Sequence, residues 1–264
     1  MPSTCILPSP ARIRKRPKPA LHARAQPAAP TPLPELRIYY DALFAAHGQQ
    51  HWWPGRTRFE VIIGAILTQN TSWSNVERAI RNLRREKLLS IAAIECVPQE
   101  RLAELVRSSG YFRQKAKKLK EFVRFVRERY AGSLDRIFAT PTAELRQQLL
   151  QVHGIGPETA DSILLYAGQH PVFVVDAYTR RILERHGLAT GKESYEQIRA
   201  LFDRSLPADP QLFNEYHALI VHTGKHFCRK QQPDCAHCPL RTFLPEPEPK
   251  RLDLEAGTAA ESEP

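Results

Sequence analysis

The chain has 264 residues, a net charge of +10 and 42% hydrophobic residues, enough for one or two domains with real cores. No apolar run reaches the ~20 residues that a membrane-spanning helix needs, and the N-terminus lacks the apolar stretch of a secretory signal. Five cysteines, an odd number in no secreted spacing, suit a reducing, cytoplasmic interior.

Residues 1–33 carry six bases and no acids and are rich in Pro and Ala, which predicts a disordered basic tail. Residues 244–264, with six acids against two bases, are predicted to be a disordered acidic tail. The part between, 34–243, keeps a charge of +8. Such a surplus is what a DNA-backbone binder needs, because neutralising phosphates releases counterions. A merely solvated basic surface would carry the same charge.

Leu36, Tyr39, Tyr40 and Leu43 have helical spacing and predict a helix over 36–46. His51-Trp52-Trp53-Pro54 follows. Adjacent tryptophans in a loop serve either as core anchors or as an aromatic wall for a nucleobase, whose stacking is worth ~1–3 kcal/mol. The apolar run over 59–67 predicts a buried helix, closed by the polar loop Thr68-Gln69-Asn70-Thr71-Ser72 and then Trp73. Further helices are predicted over 76–89, 92–108 and 114–130. Lys115, Lys117, Lys118 and Lys120 form a basic run, predicted to be a solvated face. No alternating strand pattern of any length occurs, so the fold is predicted to be all-α.

The densest stretch is 149–187. Leu145, Leu149 and Val152 form one helix face, with Thr140 as the expected N-cap and Pro141 as the first helical residue. His153-Gly154-Ile155-Gly156 then breaks the pattern, and Pro157 opens a second helix with Ala160, Ile163, Leu164 and Ala167 inward. Free amides at such a turn and helix start can hold phosphate oxygens without reading bases. The buried run Val172-Phe173-Val174-Val175 ends in Asp176, at the mouth of another helix. Asp176 is thus either a rigidly placed carboxylate or an ordinary N-cap. Helices are predicted over 195–205 and 211–227, the last carrying His217, His222, Lys225 and His226. Cys228-x6-Cys235-x2-Cys238 follows.

The combination of His153-Gly154-Ile155-Gly156, Thr159-Ala160, Val175-Asp176 and Arg180 resembles the helix–hairpin–helix–Gly/Pro…Asp DNA glycosylase superfamily, in its endonuclease III-like branch. The resemblance covers roughly residues 36–238. It implies two helical lobes, one of residues 55–170 and one of 34–54 plus 171–243, with DNA crossing the cleft between them. It also implies that the hairpin grips the DNA backbone and that Asp176 is catalytic. Gln69, with Asn70 beside it, matches the residue that fills the gap left by a flipped nucleotide. Trp52, Trp53 and Trp73 would then wall the base pocket. The cysteine spacing resembles the loop that holds a [4Fe–4S] cluster in this branch, but the fourth position is Leu244. The cluster is therefore an expectation with zinc or no metal as alternatives, and His226 or His237 as substitute ligands.

Bifunctional members carry a lysine in the hairpin's second helix, which attacks the sugar as an amine. Here that position is Glu158, and a carboxylate cannot form a Schiff base. The chain is closest in these features to bacterial 3-methyladenine DNA glycosylase III. The resemblance therefore implies a monomeric, monofunctional enzyme that hydrolyses the bond to an alkylated purine in double-stranded DNA. No second acid is evident to protonate a leaving base. The alternatives are an endonuclease III-like or mismatch (uracil or thymine) glycosylase and, from another class, a non-catalytic DNA-binding module that kept the hairpin.

Overall fold

The computed structural model of the protein describes residues 34–50, 52 and 55–245. The predicted tails therefore lie outside the described residues, apart from Leu244 and Pro245, and so do His51, Trp53 and Pro54. Among the described residues there is no strand, and no helix is long and apolar enough to cross a membrane.

The helices are α1 (Glu35–His47), α2 (Arg58–Leu67), α3 (Trp73–Arg85), α4 (Ile91–Cys96), α5 (Gln99–Leu105), α6 (Phe112–Tyr130), α7 (Leu134–Phe138), α8 (Thr142–Leu150), α9 (Pro157–Ser162), α10 (Ala177–Arg185), α11 (Tyr195–Ser205) and α12 (Pro210–His226). Helix α2 is buried almost all round and packs on α3, α6 and α9. A helix apolar on every face must lie inside. Helices α4 and α5 pack on α6, and α8 packs on α9. At the other end of the chain α12 lies between α10 and α1, and α1 also touches α11. The Tyr216 hydroxyl of α12 donates to the Leu36 carbonyl of α1 at 2.8 Å, so the first and last helices are tied by a buried bond.

Three expectations need correction. The single helix predicted over 92–108 is two short ones, because Val97 precedes Pro98 and is extended (ψ 136°). A residue before proline clashes with the ring in the helical conformation. Thr140 does not cap α8. Pro141 is itself extended (ψ 139°), the helix begins at Thr142, and the Thr140 hydroxyl lies 3.3 Å from the Tyr130 hydroxyl. The lysine run is not simply a solvated face. Lys115 is buried and donates to the Ser109 carbonyl, while Lys120 donates to the Glu95 and Val97 carbonyls. Burial, with Lys118 adding to it, pushes the Lys115 amine down to about 8.

Helix α9 does not stop at Ser162. It widens into a π turn over Ile163–Ala167, where the Gly168 N–H reaches back five residues to the Ile163 carbonyl at 3.1 Å. The run 172–175 is extended and buried but pairs with no strand. Side chains hold it instead. Phe173 stacks on Phe202 with centroids 3.7 Å apart and meets Phe213 and Tyr216 edge-on.

Candidate active site

The hairpin is built by a rivet behind it. Arg146 of α8 makes two parallel bonds to Asp161 of α9, at 2.6 and 3.1 Å, and Asp161 is fully buried. Arg146 also reaches Glu196 at 2.6 Å, and Arg199 approaches Asp161 at 4.0 Å. Burial raises the Asp161 carboxyl, and Arg146 offsets this only in part. A planar guanidinium facing a carboxylate fixes direction as well as distance, so the two helices of the hairpin are locked at one angle.

Within the hairpin Ile155 is buried and anchors the loop, while His153 is exposed. Gly154 has φ +84°, a left-handed conformation that favours glycine. A Cβ there would also run into the Lys118 side chain. Gly156 is different: its backbone is extended and a Cβ would meet nothing within 4 Å. Nothing inside the protein requires glycine at that position, which leaves its face open to an outside partner.

Gln69 sits behind the hairpin. Its side-chain amide donates to the Gly154 carbonyl at 3.1 Å and to the Thr159 hydroxyl at 2.9 Å, and Lys118 donates to its oxygen. Asn70 beside it is left-handed (φ 52°), a conformation asparagine tolerates. The loop that the resemblance assigned to the DNA gap is therefore in contact with the hairpin.

Asp176 is the N-cap of α10. One carboxyl oxygen accepts the Thr179 N–H at 2.8 Å and the Thr179 hydroxyl at 2.9 Å. The other oxygen lies 3.4 Å from Nε2 of His217 on α12, and the two side chains are 14% and 6% exposed. Burial pushes this carboxyl up. His217 and then the two Thr179 bonds more than reverse it, leaving Asp176 below its ordinary value. It is thus both an N-cap and a carboxylate held ionised in a closed setting. His217 passes the contact on, since its Nδ1 is 2.7 Å from the hydroxyl of Tyr166 in the π turn. Trp52 meets the His217 ring edge-on at 6.4 Å.

Glu158 occupies the second position of α9. Helix amides there favour an ionised acid, yet its carboxyl is pushed up to about 7. Surrounding protein is the first cause and the Asp176 charge the second, with His217 and Arg180 acting against both. Its surface is open to solvent, so it is a cleft residue rather than a core residue. Two carboxyls are therefore driven apart in proton affinity at one place, the pattern that separates an acid from a base. Glu158 is thus a second carboxyl at the site, with a proton affinity above that of Asp176.

The tryptophans divide. Trp52 joins the Asp176 side of the cleft, and the Lys225 amine lies 6.0 Å from its ring. Trp73 is half-buried at the start of α3, with its N–H donating to Glu77 of the same helix at 3.0 Å. Trp53 lies outside the described residues.

Cys228, Cys235 and Cys238 line one pocket with Arg185, His186, Phe227, Arg241 and Leu244. Arg185 donates to the Cys228 sulfur at 3.2 Å. Burial first, then the neighbouring sulfurs, pushes the Cys235 thiol up and the Cys238 thiol to about 11. The substitute ligands do not line this pocket: His237 is exposed and bonded to Asp234 at 2.8 Å, and the His226 ring lies tilted against His222 with centroids 4.5 Å apart. Among the described residues no three side chains converge as metal ligands. Three thiols and two cationic side chains share the pocket, but the apolar Leu244 stands where a fourth thiolate would be needed. The set present is not that of a four-thiolate cluster.

His217, Tyr166, Lys118 and the Arg146–Asp161 pair had no assigned part from the sequence. The available signal was a histidine and a tyrosine on otherwise apolar helix faces. Buried polar groups need partners, and theirs were on other helices.

The model of the HhH-GPD superfamily of base excision DNA repair proteins matches residues 63–208. The "Putative DNA repair glycosylase MJ1434" of Methanocaldococcus jannaschii is 48% identical over 77% of this chain and 93% of its own. A solved Endonuclease III–DNA complex superposes with a TM-score of 0.69 at 23% identity, covering 81% of this chain and 95% of that one. The H. pylori 3-methyladenine DNA glycosylase MagIII, solved with 1,N6-ethenoadenine, is 29% identical with a TM-score of 0.63, covering 73% of this chain and 96% of that one. The chain belongs to the HhH-GPD superfamily of base excision DNA repair proteins and is a DNA glycosylase of endonuclease III-like fold.

Proposed function

We propose that the protein is a monofunctional glycosylase that releases alkylated purines from double-stranded DNA by hydrolysis. The observation that carries this is Glu158 at the second position of α9, with the Asp176 charge acting on it. Where a lyase places an amine, this site places a second carboxyl, coupled to the first. The 3-methyladenine glycosylase similarity and the Trp52 wall support the choice of substrate.

The steps follow from the residues. The hairpin and the Gln69 loop hold a strand whose damaged nucleotide is turned out, and the base lies against Trp52. A base carrying positive charge is drawn to an electron-rich indole. The bond from the sugar C1′ to the base nitrogen breaks, and its electron pair leaves with the base, neutralising it. Ionised Asp176 stabilises the positive charge left on the sugar and accepts a proton as water bonds to C1′. For a neutral lesion, the protonated fraction of Glu158 can donate to the departing base. The products are a free base and an intact abasic site. No step runs through the cysteine pocket.

The test is base release from methylated DNA. Wild type should free 3-methyladenine, leave the strand uncut, and give no covalent adduct with borohydride. Asp176→Asn should lower release by roughly 10²–10⁴-fold with DNA binding retained, the range a general base contributes. A borohydride-trapped adduct in the wild type would overturn the monofunctional reading.

A further inference from the structure

We propose that His217 is a positioning residue that aims and keeps ionised the Asp176 carboxylate, and is itself oriented by Tyr166. This rests on the reading of Asp176 as the catalytic carboxylate. Three groups meet here: Nε2 of His217 is 3.4 Å from Asp176, and Nδ1 is 2.7 Å from the Tyr166 hydroxyl. Tyr166 and His217 are buried, and they come from the π turn and from α12.

The direction follows from donor and acceptor chemistry. The Tyr166 hydroxyl lies 2.7 Å from Nδ1 of His217, and a neutral phenol has one proton to give there. Burial, then the Asp176 charge, keeps that proton on Tyr166. It therefore goes to Nδ1 of His217, which makes Nδ1 the acceptor and puts the ring proton on Nε2, facing Asp176. A carboxylate whose other oxygen is already held by Thr179 is thus fixed from two sides. The π turn contributes directly, because it is the segment that presents Tyr166 to α12.

The same contacts link substrate to chemistry. Trp52, the proposed base wall, meets the His217 ring edge-on at 6.4 Å, so a nucleobase pressed on the indole bears on the group that steers the Asp176 carboxylate. Glu158 and Arg180 also act on this charge from α9 and α10, and Lys225 lies by Trp52. Any pH profile therefore contains their contributions too.

Two measurements need no substrate. Long-range 1H–15N spectra of the wild-type imidazole at pH 8 should show the proton of His217 on Nε2, and Tyr166→Phe should redistribute it. Carbon-13 titration of the Asp176 carboxyl should move to higher pH in His217→Phe and return most of the way in His217→Gln, whose amide can donate from the Nε2 position. In single-turnover base release His217→Phe should fall roughly 100-fold, the lower end of a general base's contribution, with DNA binding unchanged. His217→Gln should recover most of that loss. A proton on Nδ1, or an Asp176 titration that does not move in His217→Phe, overturns the inference. If wild type releases no methylated base while both spectroscopic results hold, the substrate reading fails and the positioning of Asp176 stands.

Discussion

The side-chain amide of Gln69 donates to the backbone carbonyl of Gly154, 3.1 Å away, across 85 positions of sequence. This bond joins the two elements proposed to touch DNA on either side of a turned-out nucleotide. Because Thr159 and Lys118 share the same amide, Gln69 is held against the hairpin by three bonds in the free protein. To fill a gap in a base stack it must exchange some of them for bonds to the orphaned base.

Gln69→Ala should therefore weaken base release more than it weakens the fold. Losing a net ~1–1.5 kcal/mol of bonding to the orphaned base corresponds to roughly a tenfold slower release. The melting temperature should move by only a few degrees, since Gly154 and Lys118 are part-exposed and the buried Thr159 hydroxyl is the one partner left behind inside. A large loss of melting temperature with proportionate loss of activity would make Gln69 a brace of the hairpin only.

Glu158 gives a pH prediction with a definite sign. Its carboxyl is raised to about 7 in the fold against an ordinary 4.5. A raised acid stabilises the fold fully below its unfolded value, and that contribution is lost as pH climbs through the folded value. Glu158→Gln carries no charge to penalise. The variant should match the wild type in melting temperature near pH 4 and exceed it increasingly up to about pH 8, where the difference levels off. Base release should show a second effect. For a neutral lesion the wild-type rate should fall above about pH 7, while for a cationic base it should not. Equal pH profiles for both lesions would remove Glu158 as a proton donor.

The Arg146–Asp161 pair predicts a stability effect located at the hairpin. Arg146→Met leaves a fully buried carboxyl with Arg199 only 4.0 Å away as a partial substitute. Breaking a buried pair from one side costs ~3–5 kcal/mol, and the residual Arg199 contact places this variant near the lower end. Arg146→Met with Asp161→Leu should recover much of the loss in urea denaturation, because neither charge is then stranded. A double variant no more stable than the single one would show that the pair supplies net stability beyond its own desolvation.

Much of the catalytic neighbourhood was legible in the chain because its signals are local. The buried run 172–175 ending in Asp176 is contiguous, and so is the glycine hairpin opening on Pro157. Glu158 could be compared with a lysine at one fixed spacing. What was not legible is what depends on facing. His217 meets Tyr166 across 51 positions and Arg146 meets Asp161 across 15, and no periodicity says which helix faces will meet. The raised proton affinity of Glu158 belongs to this group, since it arises from the protein packed around it first and the Asp176 charge second, not from its place on the helix. The break at Val97-Pro98 was different: its signal was local, but the apolar pattern on either side of the proline concealed it.

The cysteine pocket supports a final test that uses its one misfit. Cys228, Cys235 and Cys238 supply three sulfurs, and Arg185 and Arg241 supply positive charge for an anionic group, but Leu244 turns an apolar side chain into the same pocket. Four thiolates ordinarily hold a [4Fe–4S] cluster, and an iron without one is open to oxygen. Reconstitution with iron and sulfide should therefore give wild type, at most, a colour that fades in air. Leu244→Cys should complete the donor set, retain its charge-transfer absorbance in air, and melt at higher temperature after reconstitution than before, since a group that binds only the folded state stabilises it. Cys228→Ser in that background should remove both gains. If wild type and Leu244→Cys hold iron equally well in air, another residue already fills the fourth corner, and the fit of the pocket has been judged wrongly.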